Sequence, residues 1–256
     1  MKRRSILFPS SRAAELHEES LPPLGPGKAL VETIVSAISS GSELLVYRGQ
    51  APEELAVDET ITALDGAFGF PIKYGYAAVG RVIDIGPGAT SEDKTYWLGR
   101  LVFAFNPHET YFQAAMSDLH PLPPGLTPEA AVFLPNMETA VSWVMDGRPV
   151  IGEQVALLGQ GVIGLLTTAL LAGLPLAGLV TFDAHTLRRD WSERLGATIV
   201  FDPHVPGALD QARQGLEGQK PYAGADLTYE LSGNPQALDM AIALTGYRGE
   251  RKSITG

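Results

Sequence analysis

The stretch Gln154-Val155-Ala156-Leu157-Leu158-Gly159-Gln160-Gly161-Val162-Ile163-Gly164, with Asp183 about twenty residues beyond, decides how this chain folds. An apolar run enters a G-x-G-x-x-G turn, a helical pattern leaves it, and a second apolar run, 179–182, ends on the acid. Each part has a mechanical task. Gly159 permits a tight turn, Gly161 lets a diphosphate approach the backbone, and Gly164 lets the next helix sit close to the strand. Val162 and Ile163 open that helix, where free N–H groups and a partial positive charge face an anion. Asp183 can accept hydrogen bonds from ribose hydroxyls and would repel a 2′-phosphate. A glycine-rich turn alone often only connects elements. Here strand, turn, helix, strand and acid stand in the order that a dinucleotide needs, with NAD(H) preferred.

Outward from this stretch, strands and helices keep alternating. The pattern predicts a helix over 187–195 closed by Gly196, a strand over 198–201 and a helix over 208–216. A strand over 225–231, a helix over 235–244 and a β-like piece at 252–255 follow. Such alternation implies a parallel, doubly wound sheet. Towards the N-terminus the texture changes to short β-rich segments, including 29–37, 78–85 and 101–105, with Gly86-Pro87-Gly88 as a turn. Pro121-Leu122-Pro123-Pro124-Gly125-Leu126-Thr127-Pro128 is the strongest punctuation, so the expected domains are 1–125 and 126–256. Thr127, Pro128 and Glu129 make a favourable helix start.

Composition excludes more than it assigns. At 256 residues two domains fit comfortably. A net charge of −10 argues against a nucleic-acid or anionic-membrane partner. The longest apolar stretch, 162–180, is broken by Gly164, Gly173, Pro175 and Gly178, so no membrane span is expected. The absence of cysteine removes disulfides, thiolate nucleophiles and thiolate metal sites together, and a cytoplasmic setting is the default.

Ser39-Ser40-Gly41-Ser42-Glu43-Leu44 with Tyr47-Arg48-Gly49 resembles the C-G-[ST]-D segment and downstream Y-R-G of the medium-chain dehydrogenase/reductase superfamily, in its zinc-type alcohol and threonine dehydrogenase-like branch. Gly75-Tyr76-Ala77 through Gly80-Arg81-Val82 resembles its G-H-E segment, and Ile85-Gly86-Pro87-Gly88 its V-G-P-G. Arg194-Leu195-Gly196-Ala197 and Gly224-Ala225-Asp226 to Gly233 are similar in the same way. The resemblance implies an α/β protein: an N-terminal GroES-like β-barrel domain plus a Rossmann-type doubly wound parallel sheet. By the same comparison the sheet would continue past Gly256, so the chain reads as incomplete at that edge. The usual dimer strand then falls outside it, and a homo-oligomer would need a non-standard interface.

The departures carry as much information. Where the branch holds its catalytic zinc, this chain has Ser40, Tyr76 and about Leu134, and a hydroxyl, a phenol and an aliphatic group do not suit Zn²⁺. The four-cysteine structural zinc loop is also missing, and Leu45 stands at the relay-histidine position while Ser42 keeps the relay hydroxyl. No zinc is therefore expected. By resemblance Tyr76, Ser42 and Glu43 surround the lost metal position and are the catalytic candidates, Tyr76 donating to a reacting oxygen. Tyr76 as a mere filler of the vacated space is the competing reading. Thr139, in the segment 134–140 that starts a helix, is a candidate cofactor contact, and so is Arg188, near the adenosine. Arg189 beside it keeps NADP(H) open, because an arginine pair tolerates a 2′-phosphate. In Asn106-Pro107-His108-Glu109, His108 is weighed as an acid–base group, with a surface position the commoner outcome.

The expected function is a zinc-independent NAD(H)-linked oxidoreductase acting on a small-molecule carbonyl, alcohol or activated alkene. The alternative is a truncated, non-catalytic dinucleotide-binding or interaction protein of the same descent.

Overall fold

Apolar side chains put one face of the five-stranded N-terminal sheet inside. The N-terminal strands are β1 (Lys2–Leu7), β2 (Glu15–Ser20), β3 (Lys28–Ser36), β4 (Ala78–Ile85), β5 (Leu101–Ala104), β6 (Tyr111–Ala115) and β7 (His120–Pro121). Helices α1 (Ser42–Tyr47), α2 (Ser91–Trp97) and α3 (Pro128–Ala131) connect or follow them. β6, β3, β4, β5 and β7 form an antiparallel sheet in that order, and β1 pairs with β2 as a hairpin. Val31, Val82, Val102 and Phe112 meet in its core. Backbone bonds from Ile6 N–H to the His108 carbonyl and from Thr110 N–H to the Arg4 carbonyl tie the hairpin to the segment entering β6. That tie sets the position of His108.

The computed structural model describes the chain apart from residues 53–55, 58–60, 65, 217–223, 247–251 and 256. It divides into two compact units, Met1–Leu134 and Pro135–Gly256. Thr127 caps α3 as its sequence predicts, accepting from Ala130 N–H. Ala131 and the following Val132 pack with Ala77, Val79 and Phe103 in the first unit.

The second unit comprises α4 (Leu134–Gly147), β8 (Gln154–Leu158), α5 (Val162–Ala172), β9 (Gly178–Phe182), α6 (Thr186–Arg194), β10 (Ile199–Phe201), α7 (Ala208–Leu216), β11 (Leu227–Glu230), α8 (Pro235–Leu244) and β12 (Lys252–Thr255). Its sheet is wholly parallel, in the order β10-β9-β8-β11-β12. Ala156 and Leu158 face α7 and α8, while Val155 and Leu157 face Leu171 of α5 and Trp143 and Val144 of α4. Both faces are covered, which is why β8 and β9 read as unbroken apolar runs. Each fully buried Leu or Val contributes about 1.5–3 kcal/mol relative to exposure. The strand order reverses between β8 and β11, and at such a switch point the loops leaving the two strands diverge and open a crevice.

One contact in this unit carries a stability prediction. Tyr229 is fully buried on β11, and its hydroxyl has no hydrogen-bond partner among the described residues. Burial pushes the phenol pKa up, and the carboxylates of Glu153 and Asp146 push the same way, so it stays neutral. A Cβ added at Gly147, the last residue of α4, would overlap this hydroxyl. Gly→Ala in a helix usually stabilises by about 0.5–1 kcal/mol. Here the sign reverses: Gly147→Ala costs about 1–3 kcal/mol through overpacking. Tyr229→Phe alone is neutral or mildly stabilising, and the double variant recovers only part of the loss, because the ring Cζ that remains still lies 2.7 Å from the added Cβ. Thermal melts of the four proteins check this.

Candidate functional site

The glycine turn sits at the end of β8, beside the loop leaving β11. Gly159 has φ +91°, and a Cβ there would lie 2.5 Å from the backbone N of Ser232. A Cβ at Gly164 would overlap the carbonyl oxygen of Gly159. The fold itself therefore demands both glycines. Gly161 differs: its φ is −69°, it is the N-cap of α5 with no side-chain cap, and a Cβ there meets nothing within 4 Å. Gln160, fully buried, holds the turn from within, its side-chain oxygen accepting from Thr168 Oγ1 at 2.9 Å.

Asp183 closes the arrangement. Its Oδ2 accepts from Gln160 N–H and its Oδ1 from His185 N–H, both at 2.8 Å, so the acid is fixed beside the turn. Asp183 and Gly159 line a cavity of about 310 Å³, with Arg188, His204, Ser232 and Met240. Arg188 is half-exposed, with Nη1 3.6 Å from Asp183 Oδ2. Arg189 is engaged elsewhere: its guanidinium donates to Asp202 Oδ2, to the carbonyls of Asp183 and Ala184, and to Thr186 Oγ1. Val162 and Ile163 form the first turn of α5. Thr139 lies in the second turn of α4, donates to the Pro135 carbonyl at 3.0 Å, and does not line the cavity.

In the first unit, Tyr76 and Ser42 meet, with the Tyr76 hydroxyl donating to Ser42 Oγ at 3.3 Å. Tyr76 packs with Phe8, Val46, Leu64 and Tyr74. Glu43, expected to orient Tyr76, points elsewhere. It lies in the first turn of α1 and folds back, its Oε1 accepting from Ser39 N–H at 2.7 Å. Its Oε2 lies 2.8 Å from His108 Nε2, and His108 Nδ1 lies 2.9 Å from Ser36 Oγ. Glu43 is 2% exposed and His108 5%, so this histidine is a core group and not a surface one. The reason is steric as well as polar. Gly75, at φ +138°, leaves room for the ring, and a Cβ there would come within 2.7 Å of it. Local spacing holds no signal for this pairing, because Glu43 and His108 are 65 residues apart.

At the positions that the resemblance assigns to the zinc ligands, Ser40, Tyr76 and about Leu134, a hydroxyl, a phenol and an aliphatic group do not fit the metal. Among the described residues, no group of three or more His, Asp or Glu is placed to hold a metal ion. Glu109 belongs to a separate ion-pair group with Arg3, Lys73 and Glu19, beside a cavity of about 440 Å³. No described helix is long and apolar enough to cross a membrane.

No family model matches the chain. It is 23% identical over 269 residues to an L-threonine 3-dehydrogenase of Pyrococcus horikoshii, covering 95% of this chain and 72% of that protein. The structure of 2R,3R-butanediol dehydrogenase from Bacillus subtilis superposes with a TM-score of 0.76 at 22% identity, over 99% of this chain and 78% of that one. A short chain alcohol dehydrogenase of Escherichia coli, solved with NADH, matches with a TM-score of 0.73 at 18% identity, over 99% and 79%. Other structures of the same fold were solved with NADP or NADPH. The chain is thus similar in sequence to threonine and alcohol dehydrogenases, and it shares the fold of the dehydrogenase structures on which it superposes.

Proposed function

We propose that this protein is a zinc-independent, NAD(H)-linked oxidoreductase acting on a small carbonyl, alcohol or activated alkene. The observation that carries the reading is the open space around Gly161. Crowding explains the glycines at 159 and 164, whereas nothing in the chain crowds a Cβ at 161, which leaves that backbone open to a ligand. The uncapped amides of α5 beside it suit a diphosphate, and Asp183 suits ribose hydroxyls. The names of the relatives favour catalysis over the non-catalytic alternative.

Bound NAD(H) would supply or accept the hydride. The chain's own task is to hold the reacting oxygen and manage its proton. Tyr76 has a proton that it now gives to Ser42 and can redirect to a carbonyl oxygen, stabilising the charge that develops there. Glu43 has no direct part, because both of its oxygens are engaged away from Tyr76.

Fluorescence titration with NADH, and NADPH in parallel, tests the cofactor half. A substrate screen with and without a strong zinc chelator tests the rest. Saturable NADH binding and chelator-insensitive turnover are expected; absence of binding to either dinucleotide would refute the reading. Tyr76→Phe is expected to lower kcat by about 10²–10³, the scale for losing one donor to a developing oxyanion. Wild-type turnover in that variant would remove Tyr76 from the mechanism.

A further inference from the structure

We propose that His108 is a positioning residue for the Tyr76–Ser42 pair, acting through a buried Ser36–His108–Glu43 line. This rests on the reading of Tyr76 and Ser42 as the groups that meet the reacting oxygen.

The line joins three segments distant in sequence. Ser36 ends β3, Glu43 opens α1, and His108 precedes β6. Both ring nitrogens of the imidazole have partners, and so do both oxygens of the carboxylate. A neutral ring that carries its proton on Nε2 donates to Glu43 and accepts from the Ser36 hydroxyl on Nδ1. A protonated ring keeps every heavy atom in place, with Nδ1–H donating to Ser36 instead. The ring orientation is thus fixed in either state.

His108 also presses on the other side of the pair. Its ring occupies the room left by Gly75, the residue before Tyr76. Ser42 precedes Glu43 and Tyr76 follows Gly75, so one imidazole holds the backbone next to both partners of the 3.3 Å contact. Filling the same volume with an aliphatic side chain would hold the shape and lose the directional bonds. A buried carboxylate is expensive unless fully partnered, and apolar replacement of such groups is often neutral or stabilising. Orientation is what the polar line supplies and an apolar core does not.

The test uses protein labelled with ¹³C at tyrosine Cζ, an NADH titration, and turnover of whichever substrate the wild type accepts. His108→Leu is expected to shift the Tyr76 Cζ resonance, to lower kcat by about tenfold or more through misplacement, and to leave NADH affinity unchanged. His108→Gln, whose amide can donate to Glu43 and accept from Ser36, is expected to restore both signals most of the way. The proposal is overturned if folded His108→Leu keeps the wild-type resonance and turnover, or if Gln restores nothing that Leu lost. Should His108→Leu not fold, Ser36→Ala deletes one bond at the half-buried end and must still move the resonance; an unmoved signal overturns the proposal. If the wild type turns over no substrate, the oxidoreductase reading fails separately, and the Tyr76 resonance alone decides the positioning role.

Discussion

Gly161→Val is expected to leave the protein folded and to remove the NADH binding proposed for it. The fold has no need of glycine at 161: the backbone there has φ −69° and extended ψ, and no heavy atom lies within 4 Å of a Cβ. Valine favours such a conformation, and a poorer N-cap costs at most about 1 kcal/mol. Outside the fold the same methyl groups would stand where, on the proposed reading, a diphosphate touches the backbone. Affinity for NADH is expected to fall about 100-fold or more, equivalent to about 2.7 kcal/mol. Gly164→Ala is the control for the opposite case. Its Cβ runs into the Gly159 carbonyl, and backbone cannot move there without reshaping the turn, so stability and binding fall together. A thermal melt and an NADH titration on both variants separate the two effects. If Gly161→Val binds NADH like the wild type, the turn does not seat the diphosphate.

That contrast also shows what a sequence can and cannot disclose. The second unit was legible because each β8 and β9 residue is buried by helices on one face or the other, giving unbroken apolar runs punctuated by glycine. The helices 208–216 and 235–244 appear with the bounds their patterns predict. The first unit was less legible, for physical reasons. β1, KRRSIL, and β2, ELHEES, pair along a backbone ladder and face each other with charges such as Lys2 with Glu18 and Arg3 with Glu19, so neither shows the apolar alternation that marks a strand. α1 has only six residues, too few to display a helical period.

The site divides along the same line. Gly159, Gly164 and Asp183 act on neighbours in one supersecondary unit, so their spacing announced them. Arg188 and Arg189 look equivalent in sequence, yet only the fold shows that Arg189 is committed to Asp202 and to backbone carbonyls. Glu43 and His108 depend on a tertiary contact between α1 and the segment before β6. No local pattern encodes such a contact, and a histidine in a proline-punctuated loop reads as a surface group until the fold buries it.

Cofactor selectivity is where that distinction has its largest consequence. Asp183→Asn is expected to shift the ratio of NADPH to NADH affinity by about 100-fold towards NADPH. The acid does two things in the cavity. On the proposed reading it offers charged acceptors to ribose hydroxyls, and a hydrogen bond of that kind is worth about 1.5–3 kcal/mol. It also stands 3.6 Å from Arg188 and offsets its charge. Neutral Asn weakens the ribose bonds, lowering NADH affinity, and leaves the half-exposed guanidinium free for a 2′-phosphate. Asn has one oxygen for the Gln160 and His185 amides that Asp183 now serves, so a modest loss of stability accompanies the change. Because Arg189 is already engaged, Arg188 alone should carry the gain. Adding Arg188→Gln to Asp183→Asn is therefore expected to abolish the new NADPH affinity, whereas Arg188→Gln alone should change NADH binding little. Parallel titrations of the four proteins with both cofactors decide it. An unchanged ratio in Asp183→Asn would mean that the acid does not face the ribose, and persistence of the gain without Arg188 would transfer the phosphate contact to His185 or His204 along the same cavity wall.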